Sequence, residues 1–176
     1  MFFGIDTTTH SLLSSVRNQP MVEIFFGITL FGEIFTVIFF AVLISIFLWR
    51  KRLKKEIITL WTALIGSSLS TYLLKIIIDR PRPIDMVVLE DSASFPSGHA
   101  TVAVAFYGFL TYLLWCNFKN TKYRELIIMA GVILIFLIGF SRLYLGVHYL
   151  TDVLAGYLVG LLWLIVGIKI DKITRK

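Results

Sequence analysis

Residues 24–49 read IFFGITLFGEIFTVIFFAVLISIFLW, and residues 50–55 read RKRLKK. The first stretch exceeds the roughly 20 apolar residues an α-helix needs to cross a bilayer. The second is the kind of basic cluster that halts such a helix on the cytoplasmic side. Working outward from this pair, further apolar stretches occupy 57–78, 98–118, 126–145 and 149–168. A polar, proline-bearing stretch over 79–96 reads as an external loop. With 57% hydrophobic residues and a mean hydropathy of +0.84, the chain carries more apolar surface than a water-soluble domain can cover. The fold expected is all-α, an integral membrane helix bundle of five transmembrane helices. It forms one domain: an N-terminal segment 1–23, a transmembrane core 24–168 and a cytoplasmic tail 169–176.

Charge distribution supplies the orientation. Of the 17 lysines and arginines, 12 fall on one side of these spans: Arg50, Lys51, Arg52, Lys54, Lys55, Lys119, Lys122, Arg124, Lys169, Lys172, Arg175 and Lys176. Positive charge collects in the cytoplasm, so the net charge of +6 speaks for topology rather than for nucleic acid. Arg17, Lys75, Arg80, Arg82 and Arg142 remain on the outer side, against that bias. Thr7 to Arg17 is too polar to span, while Phe2, Phe3, Leu12, Leu13 and Val16 offer an apolar face, so residues 1–23 read as an interfacial amphipathic helix. No basic region precedes a short apolar core with a small-residue cleavage site, so a cleaved signal peptide is not expected. The single cysteine, Cys116, excludes an internal disulfide or a cysteine metal site and reads as a small buried hydrophobe.

Three polar clusters sit at span boundaries on the outer side: Lys75-Ile-Ile-Ile-Asp-Arg-Pro-Arg82-Pro83, Pro96-Ser97-Gly98-His99, and Ser141-Arg142-Leu-Tyr-Leu-Gly-Val-His148-Tyr-Leu-Thr-Asp152. Singly, each has an ordinary reading: Lys75 as an interface anchor, Arg82 as a loop charge, Ser97 as a helix cap, His148 and Asp152 as a polar pair between packed helices. Together they bring three cations, two histidines, a helix N-terminus and a carboxylate to one depth. Lysine and arginine suit nonbridging phosphate oxygens. The start of the third span offers free N–H groups, with Gly98 permitting close backbone approach and Ser97 adding a hydroxyl. His99 is placed as a general acid. The four-residue spacing of His148 and Asp152 puts both on one face of the fifth helix, where the carboxylate takes the Nδ1 proton and frees Nε2 as a nucleophile. Glu33, inside the first span, is costly at that depth. It reads either as a helix-packing contact or as a group near the substrate.

These clusters match Lys-x6-Arg-Pro, Pro-Ser-Gly-His and Ser-Arg-x5-His-x3-Asp, in order and without mismatch. In them the sequence resembles the type 2 phosphatidic acid phosphatases, the membrane branch of a superfamily that includes soluble bacterial acid phosphatases and vanadium haloperoxidases. The resemblance spans Lys75 to Asp152. It implies that Lys75, Arg82 and Arg142 hold the phosphate with Ser97 and Gly98. It further implies that His148 forms a phosphohistidine oriented by Asp152, and that His99 protonates the departing alkoxide and then activates water. No metal or other cofactor is called for, and no obligate protein partner. Fuller members carry six spans with the first motif after the third, whereas here it follows the second. The expected function is a plasma-membrane phosphatase with its site facing the periplasm or exterior. It would act on phosphatidylglycerophosphate, phosphatidic acid or undecaprenyl diphosphate. Two rivals stand beside it: a vanadate-dependent haloperoxidase-like oxidoreductase, against which the short membrane chain argues, and a noncatalytic lipid binder or transporter, against which the intact His99 and His148 argue.

Overall fold

A computed structural model describes residues 2–118 and 120–174, without the side chains of Phe2, Phe3 and residues 171–174. The expected roles of Phe2 and Phe3, and of Lys119, Lys172, Arg175 and Lys176 in the positive-inside count, therefore lie outside the described residues. The described elements are all helical: α1 (Phe2–Ser15), α2 (Gln19–Thr29), a 3-10 turn (Leu30–Gly32), α3 (Ile34–Arg50), α4 (Lys54–Ile78), α5 (Gly98–Asn117), α6 (Thr121–Tyr144) and α7 (Leu150–Thr174). Helices dominate because a spanning segment must satisfy every backbone N–H and C=O internally. Among the described residues, α4, α5, α6 and the 150–170 part of α7 are each long and apolar enough to cross a membrane.

The first expected span is not one straight helix. It breaks at the turn Leu30–Gly32 and Glu33, and α2 and α3 meet there at 46°. Hydropathy does not register this, because Leu30, Phe31 and Gly32 keep the run apolar up to Glu33. The boundary at 23/24 falls inside α2, which starts at Gln19 behind Asn18, whose side chain accepts from the Met21 N–H at 3.1 Å.

The N-terminal segment does form a helix, α1, but it docks on the bundle by a polar contact that an amphipathic pattern does not show. Asp6 is buried, and Leu13 packs against Ala100, Leu143 and Val153, whereas Leu12 and Val16 of the expected apolar face stay exposed. Cys116, near the end of α5, is exposed rather than buried.

The core lies among α3, α4, α5 and α7, around Val37, Leu60, Leu64, Phe106, Phe109 and Leu164. Glycines on α7 set the α5–α7 distance. A methyl on Gly156 would fall 2.6 Å from the Ser97 carbonyl oxygen, and one on Gly160 would fall 2.5 Å from that of Thr101. This Gly-x3-Gly spacing is the small-residue pattern by which membrane helices pack closely. It presses the start of α7 against the start of α5.

Candidate active site

Three outer segments converge above the α5–α7 contact: the end of α4 with its following loop, the first turn of α5, and the turn joining α6 to α7. Lys75 lies in the last turn of α4, which closes at Asp79 in the left-handed conformation. Arg142 lies in the last turn of α6. The chain then reverses at Gly146, whose φ of 70° is a region that only glycine enters without strain. A methyl there would also fall 2.6 Å from Nη2 of Arg17. His148 is thus carried in the turn before α7. This corrects the expectation that it shares a helical face with Asp152. Asp152, in the first turn of α7, accepts from the Tyr149 N–H at 2.9 Å, the reach-back half of a capping box.

Lys75, Arg82, Gly98, His99 and His148 line a single cavity of about 510 Å³, with Glu33, Glu90 and Ser92. Arg142 and Asp152 are buried beside it. Two guanidiniums share one carboxylate: Glu90 pairs with Arg82 at 2.8 Å and with Arg142. Arg142 also donates to Thr29 Oγ1 at 2.8 Å, and Lys75 donates to the Ala93 carbonyl. A methyl on Gly98 would meet nothing, so glycine there keeps space open above the helix N-terminus. Ser97 precedes α5 but does not cap it. Its hydroxyl is buried and, among the described residues, unpartnered, as are Nε of Arg142 and Nδ1 of His148. Buried polar atoms are nearly always paired, so the Ser97 hydroxyl and Arg142 Nε are left open to a polar partner, whereas Nδ1 of His148 has Asp152 beside it.

A guanidinium can only donate. Arg82 Nη1, 3.3 Å from Nε2 of His148, therefore leaves Nε2 as acceptor and puts the ring proton on Nδ1. Nδ1 faces Oδ2 of Asp152 at 3.5 Å, longer than a normal hydrogen bond. Burial pushes His148 down to about 3. Contact with Asp152 opposes this, while Arg142 and Arg82 lower it further. Imidazole at this position is neutral over the whole physiological range.

The three sequence motifs omit Arg80, Asp6 and Glu90. Arg80 donates to Asp152 Oδ1 at 2.6 Å, to Thr151 Oγ1 at 2.8 Å and to Asp6 Oδ2 at 2.7 Å. Asp6 in turn accepts from the Thr151 N–H at 3.0 Å, so α1 is tied to the carboxylate that faces His148. The signal for Arg80 was its place among the outer basic residues held against the topological bias. Nothing in local spacing marks Asp6 or Glu90.

A family model for the PAP2 superfamily matches residues 56–175. The chain belongs to the PAP2 superfamily. Among PAP2 relatives, phosphatidylglycerophosphatase B of Bacillus subtilis is 36% identical over 168 residues, covering 91% of this chain and 80% of that protein. The undecaprenyl-diphosphatase BcrC of the same bacterium is 27% identical over 169 residues, covering 92% and 80%. The crystal structure of a transmembrane PAP2-type phosphatidylglycerolphosphate phosphatase from Bacillus subtilis superposes with a TM-score of 0.88 at 29% identity, covering 95% of this chain and 84% of that one. This PAP2 chain is a multi-pass membrane enzyme that hydrolyses phosphate esters.

Proposed function

We propose that the enzyme removes the terminal phosphate of a lipid phosphomonoester through a phosphohistidine at His148, with phosphatidylglycerophosphate as the favoured substrate. The observation that carries this is the single cavity holding both imidazoles beside paired guanidiniums and a lysine. Phosphoryl transfer needs charge stabilisation at the equatorial oxygens and an in-line nucleophile, and little else. Lys75, Arg82 and Arg142 supply the charge, and the Ser97 hydroxyl and the Gly98 N–H add donors. His148 Nε2 attacks phosphorus while Asp152 takes up the charge growing on the ring. His99 gives its proton to the leaving alkoxide and then takes one from water, which cleaves the phosphohistidine and releases phosphate. The name of the 36% identical relative supports phosphatidylglycerophosphate, and BcrC keeps a prenyl diphosphate as the second reading.

The test is phosphate release from purified phosphatidylglycerophosphate, phosphatidic acid and a prenyl diphosphate in detergent containing EDTA. The wild-type enzyme should keep its rate under chelation, since Lys75, Arg82 and Arg142 supply the positive charge that a metal provides elsewhere. His148→Ala should abolish turnover, and Asp152→Asn should leave a fraction on the order of 10⁻³ to 10⁻⁴, as an imidazole in the wrong tautomer does in a hydrolytic triad. Near-wild-type release from His148→Ala would end this assignment.

A further inference from the structure

The break in the first span brings a second carboxylate to the cavity. Gly32 lies against the ring of His99: a methyl on it would come 3.3 Å from both Cβ and Cδ2 of that histidine. The next residue, Glu33, lines the same cavity as His99 and His148. Glu33 opens α3 with extended backbone, yet its side chain caps no N–H of that helix. Among the described residues no hydrogen bond ends on its carboxylate, although its charge acts on Arg142. Beyond it the wall continues through Ser68, Thr71 and Tyr72 of α4 and Val102 of α5. These lie one or two turns inward of Lys75 and Gly98, so the cavity runs from the phosphate-binding end toward the bilayer interior. A carboxylate held at this depth is costly unless a partner meets it, and broken helices within membranes expose backbone chiefly where they line a cavity.

We propose that Glu33 determines specificity by reading the leaving group. Its carboxylate accepts a hydrogen bond from a hydroxyl, or pairs with an ammonium, next to the scissile oxygen, and it repels a second phosphate at that place. The inference rests on the phosphatase reading above, in which His99 marks the leaving-group side. When a phosphomonoester reacts, the P–O bond breaks, His99 delivers its proton to that oxygen, and an uncharged hydroxyl departs past Glu33, with the phosphodiester of phosphatidylglycerol at the far end of its glycerol. In phosphatidylglycerophosphate the second carbon from the scissile oxygen, the central carbon of the headgroup glycerol, bears a free hydroxyl, which donates to the carboxylate. In phosphatidic acid the same position bears an ester, which cannot donate. In a prenyl diphosphate the scissile oxygen belongs to a second phosphate, whose charge falls directly beside Glu33. The site is thus polarised, with cations around the transferred phosphoryl group and an anion on the alcohol.

The experiment compares kcat/KM of wild type, Glu33→Gln and Glu33→Asp on phosphatidylglycerophosphate, phosphatidic acid and farnesyl diphosphate. Glu33→Gln removes the charge and keeps the shape. It should raise the ratio of diphosphate to phosphatidylglycerophosphate turnover by about tenfold, chiefly by improving the diphosphate. It should also narrow the preference for phosphatidylglycerophosphate over phosphatidic acid. Glu33→Asp keeps the charge and should preserve the wild-type order. If Glu33 merely balances Arg142, all three rates fall together and the ratios stay fixed, which overturns the proposal. A Glu33→Gln protein that fails to fold, judged by size-exclusion and melting, overturns it as well, since the carboxylate is then structural. If the wild type releases phosphate from none of the three lipids, the phosphatase reading fails first and takes this inference with it.

Discussion

Glu90 accepts from Arg82 and Arg142 at once, placing two carboxylate oxygens where two nonbridging phosphate oxygens are expected to bind. With phosphate bound at these guanidiniums as proposed, Glu90 is displaced, and the substrate competes with the enzyme's own side chain. Glu90→Gln weakens the competitor and leaves two buried guanidiniums seeking an anion. Vanadate inhibition should tighten by about tenfold, or roughly 1.4 kcal/mol, read as the inhibition constant in detergent. His148 contributes a pH dependence to stability. Its folded value, about 3, lies below the ordinary histidine value near 6.5, so the unfolded chain binds a proton that the folded one refuses. Stability from this residue is complete above about pH 6.5 and declines as pH falls toward 3, with a slope approaching ~1.4 kcal/mol per pH unit. Melting curves from pH 7 to 4.5 should show His148→Gln losing less stability than wild type. Over the same range the acid limb of kcat/KM should not show a titration at 6.5 assignable to His148.

At the scale of elements, the α5–α7 contact decides whether the site exists. Ser97 donates its N–H to the Asp152 carbonyl at 3.0 Å, directly joining the two helix starts that carry His99 and Asp152. Gly156 makes that approach sterically feasible, since its missing side chain leaves room for the Ser97 carbonyl. Gly156→Val should push the helices apart, costing about 1–3 kcal/mol in overpacking. Because reacting groups tolerate little misplacement, activity should fall by about 100-fold or more. A milder change at Gly27, where a methyl meets nothing within 4 Å, should leave both properties unchanged and serves as the control. The measurement is phosphate release set against melting temperature for the two variants. The α1 helix belongs to this scale too. Through Asp6 and Arg80 it braces the carboxylate that faces His148, a larger role than surface attachment.

For the whole molecule, the helix order puts the loop 79–97, the turn 145–149 and α1 at one end, and the basic stretch 50–55 at the other. From the positive-inside bias we propose that the cavity faces the periplasm or exterior, at the headgroup level. Ile84 is fully exposed on the outer loop and makes a better reporter than Ser92, whose hydroxyl and carbonyl are engaged by Arg82. With the exposed Cys116 replaced by serine, a cysteine at position 84 should react with a membrane-impermeant maleimide in intact cells. Labelling only after permeabilisation would invert the topology and require a cytoplasmic-leaflet substrate.

The sequence by itself determined the helical class, the approximate spans and the placing of Lys75, Arg82, Gly98, His99 and His148 at one cavity, though not Glu90. A bilayer demands long apolar runs, and the site's residues sit in three short local motifs whose spacing survives folding. The exact course of the chain at those motifs was less legible: His148 proved to lie in a turn because Gly146 reverses the chain, which helical spacing alone does not disclose. Only the tertiary structure decided the break beside Glu33, the bridging of Arg82 and Arg142 by Glu90, and the clamp of Arg80 on Asp152 and Asp6. These contacts join residues as far as 145 positions apart, from Asp6 to Thr151. They arise from how closely glycine-bearing helices can pack and where their ends then fall, and neither hydropathy nor periodicity encodes a distance between separate helices.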